Sequence, residues 1–168
     1  VTLEGRTIHV CCAKCKAAAE ADPAGTLAKV DTMIAEQQRA LYPLTTCVVM
    51  SDEALVGEDG ADTAKEVVVG NRLFRVCCPG CIKKVKKDPA KFAAMLDEAA
   101  RKAQQASYPL AHCVVNPKAV FSADAPAHEF MVAGRLVRTC CKSCEAKVRA
   151  EPLKYVGMFD TSRLGAQK

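Results

Sequence analysis

Alternating apolar and polar positions predict a short β-strand at three places along the chain. At one parity the residues are apolar or small and are expected to face a core: Ile8 and Val10, Phe74 and Val76, and Val137 and Thr139. At the other parity they are polar and are expected to face water: His9, Arg75 and Arg138. A residue that adopts a positive φ with little strain precedes each strand, which predicts a β-hairpin turn there: Gly5, Asn71 and Gly134.

Two helices are predicted after each strand. The first is a short basic stretch, such as residues 82–87, and it stops at an acidic residue followed by proline. Because proline fits the first turn of a helix, a second and longer helix is predicted to begin there. Its apolar stripe is expected at the following positions: Phe92, Leu96, Ala99 and Ala103 in one copy, and Leu27, Val30, Ile34 and Leu41 in another.

A Tyr-Pro-Leu stretch, at residues 42–44 and 108–110, is predicted to end the longer helix. A short strand is then expected at 47–49 and 113–115, and each of these begins with a lone cysteine. The same unit is therefore predicted for every copy: a strand, a hairpin, a cysteine knuckle, a short helix and a longer helix.

Cysteines recur with the same spacing in every copy, which marks the chain as a tandem repeat. The triplet Cys-Cys-x-x-Cys occurs three times: as Cys11, Cys12 and Cys15, as Cys77, Cys78 and Cys81, and as Cys140, Cys141 and Cys144. We predict an α+β fold of small β-hairpin-plus-helix modules linked by helices, with boundaries at 1–42, 43–107 and 108–168. Because Val1 is not a methionine and falls inside a repeat, we expect an upstream segment that completes the first module.

The composition favours several small modules over one large core. The 168 residues are half apolar but contain no Trp and few aromatics, so a metal or disulfide staple is expected in each module. The net charge of +5 requires no nucleic-acid partner. No apolar run approaches the roughly 20 residues that span a bilayer, and no membrane span is expected.

The eleven cysteines favour metal sites over disulfides, because an odd number cannot all pair within one chain. Thiolates at a turn entering a helix converge on one ion and select soft metals, so we expect zinc(II) or copper(I), at two to three ions per chain. One set of three and two sets of four, completed by Cys47 and Cys113, account for every cysteine. Neighbouring side chains diverge in an extended strand, which leaves open whether both members of each Cys-Cys pair bind.

Three functions remain open at this point. The chain is a soft-metal-binding protein for storage, trafficking or sensing, or a zinc-stapled repeat that binds another protein, or a thiol-disulfide redox protein. A four-cysteine site has no open position for water and no other catalytic set is visible, so no enzyme is expected. The three histidines, His9, His112 and His128, do not recur at equivalent positions and are not expected to be the main ligands.

The stretch Arg-Val-Cys77-Cys78-Pro-Gly-Cys81, followed by Lys-Lys and Asp88-Pro89, resembles the TRASH/YHS family of treble-clef-like metal-binding modules. The resemblance covers most of the chain, but the extra cysteine of each doublet and the missing Tyr-His-Ser stretch depart from the family pattern. It implies a role in heavy-metal homeostasis with copper or zinc. It also implies a periplasmic or otherwise exported location, with a reducing cytoplasm as the alternative for so many free thiols.

The family pattern further implies which cysteines share an ion. An early cysteine joins two later ones at the head of the helix, which corresponds here to two sets: Cys47 with Cys77 and Cys81, and Cys113 with Cys140 and Cys144. The alternative assigns each lone cysteine to the preceding triplet and leaves the last triplet incomplete.

Overall fold

The fold is α+β, as the sequence predicts. The computed structural model describes the backbone of residues 1–165 and the side chains of residues 1–158. This part of the chain contains six helices and three separate two-stranded antiparallel sheets. None of the described helices is long and apolar enough to cross a membrane.

Each repeat contributes a hairpin followed by two helices. The first contains β1 (Thr2–Leu3), β2 (Arg6–Thr7), α1 (Ala13–Ala21) and α2 (Pro23–Arg39). The second contains β3 (Lys65–Val69), β4 (Arg72–Val76), α3 (Pro79–Lys87) and α4 (Pro89–Gln105). The third contains β5 (His128–Val132), β6 (Arg135–Thr139), α5 (Lys142–Ala150) and α6 (Pro152–Gly165).

All three hairpins turn through two residues with positive φ, so the predicted turn positions are confirmed. The angle is 77° at Gly5, 63° at Asn71 and 78° at Gly134. The residue before each of these is also left-handed, which is the geometry of a type I′ turn. This turn matches the right-handed twist of paired strands and sets their register, with Val69 opposite Arg72 in the second hairpin.

An acidic residue and a proline separate the two helices of each copy, as predicted. The Asp22 carboxylate accepts a hydrogen bond from the Gly25 N–H at 3.0 Å, and Asp88 accepts one from the Lys91 N–H at 3.2 Å. Each aspartate thereby caps the longer helix just before its first proline. The short helix consequently ends at the same point in each copy, after nine residues.

The second hairpin is covered on both faces, which corrects the expectation that one parity faces water. Phe74 and Val76 are buried as predicted, but Leu73, on the other parity, is only 1 % exposed. The side chain of Arg75 is 11 % exposed and lies over the Tyr42 ring, 5.6 Å from its centroid. Helix α2 packs against β3 and β4, and this cover cannot be read from the alternation of polarity.

The third hairpin repeats this arrangement, whereas the first is shorter and more open. Leu136 is buried beside Val137, and Arg138 lies 4.7 Å from the centroid of the Tyr108 ring. Strand β2 ends at Thr7, so the strand predicted through Ile8 and Val10 is not formed, although Ile8 is half-buried and His9 is exposed, as expected.

The buried stripe of α4 is displaced from the predicted one. Ala100 is fully buried and Gln104 is nearly so, whereas Ala99 is half-buried and Ala103 is exposed. The prediction was wrong at these two positions because it counted apolar residues alone, whereas the last buried residue of the stripe is the polar Gln104. Its amide group bonds the backbone of the third hairpin, donating to the Gly134 carbonyl at 2.8 Å.

The lone cysteines lie in tight loops, so the strands expected at 47–49 and 113–115 are not formed. Cys47 donates its N–H to the Glu53 carbonyl at 2.8 Å, and Cys113 donates to the Ala119 carbonyl at 2.9 Å. The backbone groups of these segments are thus satisfied within the loop rather than by a neighbouring strand. Isolated bridges, such as the one between Thr46 and Ala54, are the only strand-like pairing that the structure describes there.

The chain divides into two compact units, Val1–Met95 and Leu96–Lys168, and the boundary falls within α4. The first unit holds two hairpins and the second holds one. Each unit has an apolar cluster of its own: Leu3, Ala19 and Leu27 in the first, and Val114, Phe130, Val137, Val148 and Tyr155 in the second. The finer division into three modules at 1–42, 43–107 and 108–168 stays a prediction.

Candidate metal centres

Three sets of cysteine sulfurs could each hold one metal ion, and within each set the atoms lie within 4.8 Å of one another. The first set is Cys11, Cys12 and Cys15; the second set is Cys47, Cys77 and Cys81; the third set is Cys113, Cys140 and Cys144. The structure therefore brings together nine of the eleven predicted ligands. It groups each lone cysteine with the following triplet rather than the preceding one.

The second set is assembled from a loop, a strand end and a helix start. Cys47 lies in the loop that closes on Glu53, Cys77 directly follows β4, and Cys81 lies in the first turn of α3. Cys47 and Cys81 are each 1 % exposed, whereas Cys77 is half-buried. The site therefore has a buried floor of two sulfurs and one sulfur nearer to solvent.

The third set has the same construction in the second unit. Cys113 and Cys144 are buried and Cys140 is exposed. The Asn116 N–H donates to the Cys113 sulfur at 3.4 Å, so the loop contributes a backbone donor as well as the ligand. The repeat in sequence is thus also a repeat in site geometry.

The first set differs because all three of its sulfurs are exposed. Cys12 occupies the N-cap of α1, and Cys15 lies in the first turn of that helix. Cys11 and Cys15 place their sulfurs 3.5 Å apart. This set has three thiols and no buried floor.

The separations between sulfurs match the size of a metal–thiolate centre. The Sγ atoms of Cys77 and Cys81 lie 3.8 Å apart, and those of Cys140 and Cys144 lie 3.7 Å apart. A tetrahedral site with zinc–sulfur bonds of about 2.3 Å has an edge of about 3.8 Å between sulfurs. A disulfide needs about 2.05 Å, and all eleven cysteines are free. One soft ion therefore fits between these atoms with little movement.

Backbone amides lower the pKa of the two loop cysteines in spite of burial. Burial is the largest single influence on the pKa of Cys47 and raises it, but N–H donors from Cys77, Val49 and Met50 together outweigh that effect. The pKa of Cys113 is lowered in the same way, by the amides of Cys140, Asn116 and Val115 acting against burial. In each site the lowered pKa of the loop cysteine thus favours its thiolate, the form that binds a cation.

The helix cysteines show the opposite shift. Burial, followed by hydrogen bonds with neighbouring thiols, raises the pKa of Cys81 to about 12 and that of Cys144 to about 12. Hydrogen bonds with Cys11 and Cys12 raise the pKa of the exposed Cys15 to about 11. Without an ion, a second negative charge is disfavoured so close to the first. A bound cation would remove that penalty and release protons as it binds.

Two predicted ligands stand outside the sets: Cys78 and Cys141, the second members of their doublets. We call them the outer cysteines. Each occupies the N-cap position of the short helix of its copy, and amide or hydroxyl donors lower its pKa. For Cys141 the largest cause is the Ser143 hydroxyl, 3.1 Å from the sulfur, and its pKa falls to about 6.

No family model, curated protein or solved structure matches this chain.

Histidine does not join any of the cysteine sets among the described residues. His128 instead forms a 2.6 Å contact between its Nε2 and the Glu145 carboxylate, and His112 forms an isolated backbone bridge with Val120. The ligand atoms that the structure brings together are all sulfur.

Sequence reasoning missed the donors that surround the sulfurs. Backbone amides carry no signal in the side-chain pattern, so the part played by residues 49, 50 and 116 could not be read from it. Ser143 offered a weak signal, because Gly80 occupies the equivalent repeat position and only serine brings a hydroxyl to the doublet. The difference distinguishes the two otherwise similar sites.

Proposed function

We propose that this protein binds soft metal ions, zinc(II) or copper(I), through repeated thiolate sites and stores, carries or senses them. The observation that carries the proposal is the convergence of three cysteine sulfurs at each of three places, within 4.8 Å of one another. Thiolate sulfur binds such ions in preference to magnesium or calcium. The sets support a capacity of up to three ions per chain.

The first test is the metal content of protein purified without oxygen, measured by inductively coupled plasma mass spectrometry. We expect two to three ions per chain, and we expect chelation to increase the number of thiols that react with a thiol reagent. The double variant Cys47→Ser and Cys81→Ser should lose one ion, because it removes the buried floor of the second set. Met50→Ser is a matched control, since it changes a residue whose backbone N–H interacts with Cys47 and keeps that N–H.

Protein that carries no metal and contains disulfides would contradict the proposal. The redox or disulfide-scaffold interpretation would then be favoured. An equal ion count in the double variant and the Met50→Ser control would show that the second set is not a site.

A second function is favoured by the burial of the sulfurs. Cys47, Cys81, Cys113 and Cys144 are all 7 % exposed or less, so an ion bound to them would join elements of a small core. In that case zinc staples each module, and the function is to bind another protein. Hydrogen exchange after chelation separates the two possibilities: a staple predicts loss of protection in β3–β4 and β5–β6, whereas exchangeable cargo predicts that protection is retained.

We further propose that the modules are treble-clef-like and related to the TRASH/YHS family. A hairpin followed by a helix, with cysteines at the strand end and in the first helical turn, supports this proposal. A crystal structure of the zinc-loaded protein would test it through the ligand arrangement.

We propose that the protein is not an enzyme and acts outside the cytoplasm, where heavy-metal homeostasis proteins of this kind are expected. Cell fractionation with an antibody against the chain tests the location, and recovery in the cytoplasmic fraction alone would contradict it.

A further inference from the structure

We propose that the outer cysteines, Cys78 and Cys141, are exchange ligands through which an ion enters and leaves the second and third sets. This inference rests on the proposed function and concerns its kinetics. It assigns a role to the residues that distinguish these sites from a simple three-thiolate centre.

The outer cysteine of the second site touches the set without belonging to it. Its sulfur lies 3.6 Å from that of Cys81, close to the edge of a tetrahedral thiolate centre, which is about 3.8 Å. Cys78 is nevertheless not among the three sulfurs that lie mutually within 4.8 Å. It can therefore hold an ion together with Cys81 before that ion reaches the loop cysteine Cys47.

In the third site the outer sulfur lies next to the other member of its doublet rather than next to the helix cysteine. The Cys141 sulfur lies 3.7 Å from the sulfur of Cys140, and both residues are exposed. The remaining members of the set, Cys113 and Cys144, are buried. An ion that arrives from solvent therefore meets the outer pair first.

Exchange by this route proceeds through single ligand substitutions. The outer sulfur loses its proton to solvent and forms a bond to the ion as one ligand of the donor leaves with a proton. The buried thiol then loses its proton and forms its own bond to the ion, the bond to the outer sulfur breaks, and the outer sulfur takes up a proton. Neither the ion nor any sulfur changes its oxidation state, and release follows the same steps in reverse.

The residue two positions after the outer cysteine provides an independent difference between the sites. Gly80 has no side chain, and a Cβ built there would lie 3.7 Å from the Cys78 sulfur, which is ordinary contact. Ser143 instead places its hydroxyl 3.1 Å from the Cys141 sulfur. The hydroxyl gives the outer sulfur of the third site a hydrogen-bond partner that Gly80 cannot supply, so the two sites should exchange ions at different rates.

The test compares metal transfer from zinc-loaded protein to a chromogenic chelator, 4-(2-pyridylazo)resorcinol, by stopped flow. All proteins carry serine at positions 11, 12 and 15, so only the second and third sets release zinc. We expect Cys78→Ser with Cys141→Ser to keep two zinc ions and to release them at least tenfold more slowly. Cys77→Ser with Cys140→Ser, the neighbouring members of the same doublets, should fail to hold both ions.

Two results with the outer double variant would overturn the inference. Loss of zinc would make the outer cysteines full ligands, and an unchanged release rate would make them spectators. If the unmodified chain holds no metal, the proposed function itself fails and the inference falls with it. Circular dichroism of each variant, compared with the unmodified chain, separates loss of the fold from loss of the site.

Discussion

A buried sulfur that carries a charge needs hydrogen-bond donors, and Cys47 and Cys113 receive them from backbone amides of their own loops and of Cys77 and Cys140. These backbone N–H groups outweigh the effect of burial and lower the pKa of each sulfur. These donors belong to the backbone, so they need little reorganisation when an ion arrives. The pKa of one ligand in each buried site is therefore shifted in the direction that favours the thiolate, the form that binds metal.

The hydroxyl of Ser143 should control the reactivity of Cys141. In metal-free protein, Ser143→Ala removes the largest cause of the lowered pKa, so that pKa should rise from about 6 towards its ordinary value. At pH 7 the thiolate, roughly nine-tenths of the population at a pKa of about 6, should become less abundant. The rate of alkylation of Cys141 by iodoacetamide, followed by peptide mass spectrometry across pH 5–9, measures this change.

Ser107→Ala, a serine on an exposed segment in the same unit, is the matched control and should leave the profile of Cys141 unchanged. An identical midpoint in Ser143→Ala and the unmodified chain would show that the hydroxyl does not stabilise the thiolate.

Within each unit, a long helix is attached to the hairpin that follows it through one glutamine. Gln38 of α2 donates to the Asn71 carbonyl at 3.0 Å and accepts from the Leu73 N–H at 2.9 Å. Gln104 of α4 makes the equivalent pair with Gly134 and Leu136. The side-chain amide thereby satisfies one donor and one acceptor of the backbone at the turn end of the hairpin, where they would otherwise be unpaired.

Replacing Gln104 should therefore destabilise the second unit. Gln104→Ala leaves a buried N–H at Leu136 and a carbonyl at Gly134 without partners, which should cost about 2 kcal/mol in the free energy of unfolding. Urea unfolding at fixed metal content, followed by far-ultraviolet circular dichroism, measures the difference. Gln105→Ala, on the exposed side of the same helix, should change the value by less than about 0.5 kcal/mol. Equal effects of the two substitutions would contradict this role.

Across the whole molecule, the three sets differ in how far they are withdrawn from solvent. All sulfurs of the first set are exposed, whereas two of the three in each other set are buried. A buried ion is screened from competing ligands, and its release requires the surrounding elements to open. The three sites should therefore not lose their ions together.

Stepwise chelation should remove one ion before the other two. Native mass spectrometry at increasing chelator concentration should show a species with two ions over a wide range. A variant with serine at positions 11, 12 and 15 should begin with two ions and lack the early step. Retention of that early loss in the variant would contradict the assignment of the most labile ion to the first set.

Much of the element order could be predicted from the repeat itself. The turn positions Gly5, Asn71 and Gly134 and the helix starts at proline depend on local backbone chemistry, and they are confirmed. The strands expected at 47–49 and 113–115 are not formed, because closure of each loop satisfies its backbone groups locally. The alternation of polarity predicted that Arg75 faces solvent. This was wrong because the Tyr42 ring and the Glu66 carboxylate cover its side chain.

The sequence by itself determined the residue types at the sites and their recurrence, because cysteine spacing and turn chemistry are local properties of the chain. It also determined the α+β class through short periodic segments bounded by glycine, asparagine and proline. Only the tertiary structure decided that each lone cysteine joins the following triplet, and which sulfurs are buried. Those features depend on contacts between residues about 30 positions apart, such as Cys47 with Cys77, and local patterns do not encode such contacts.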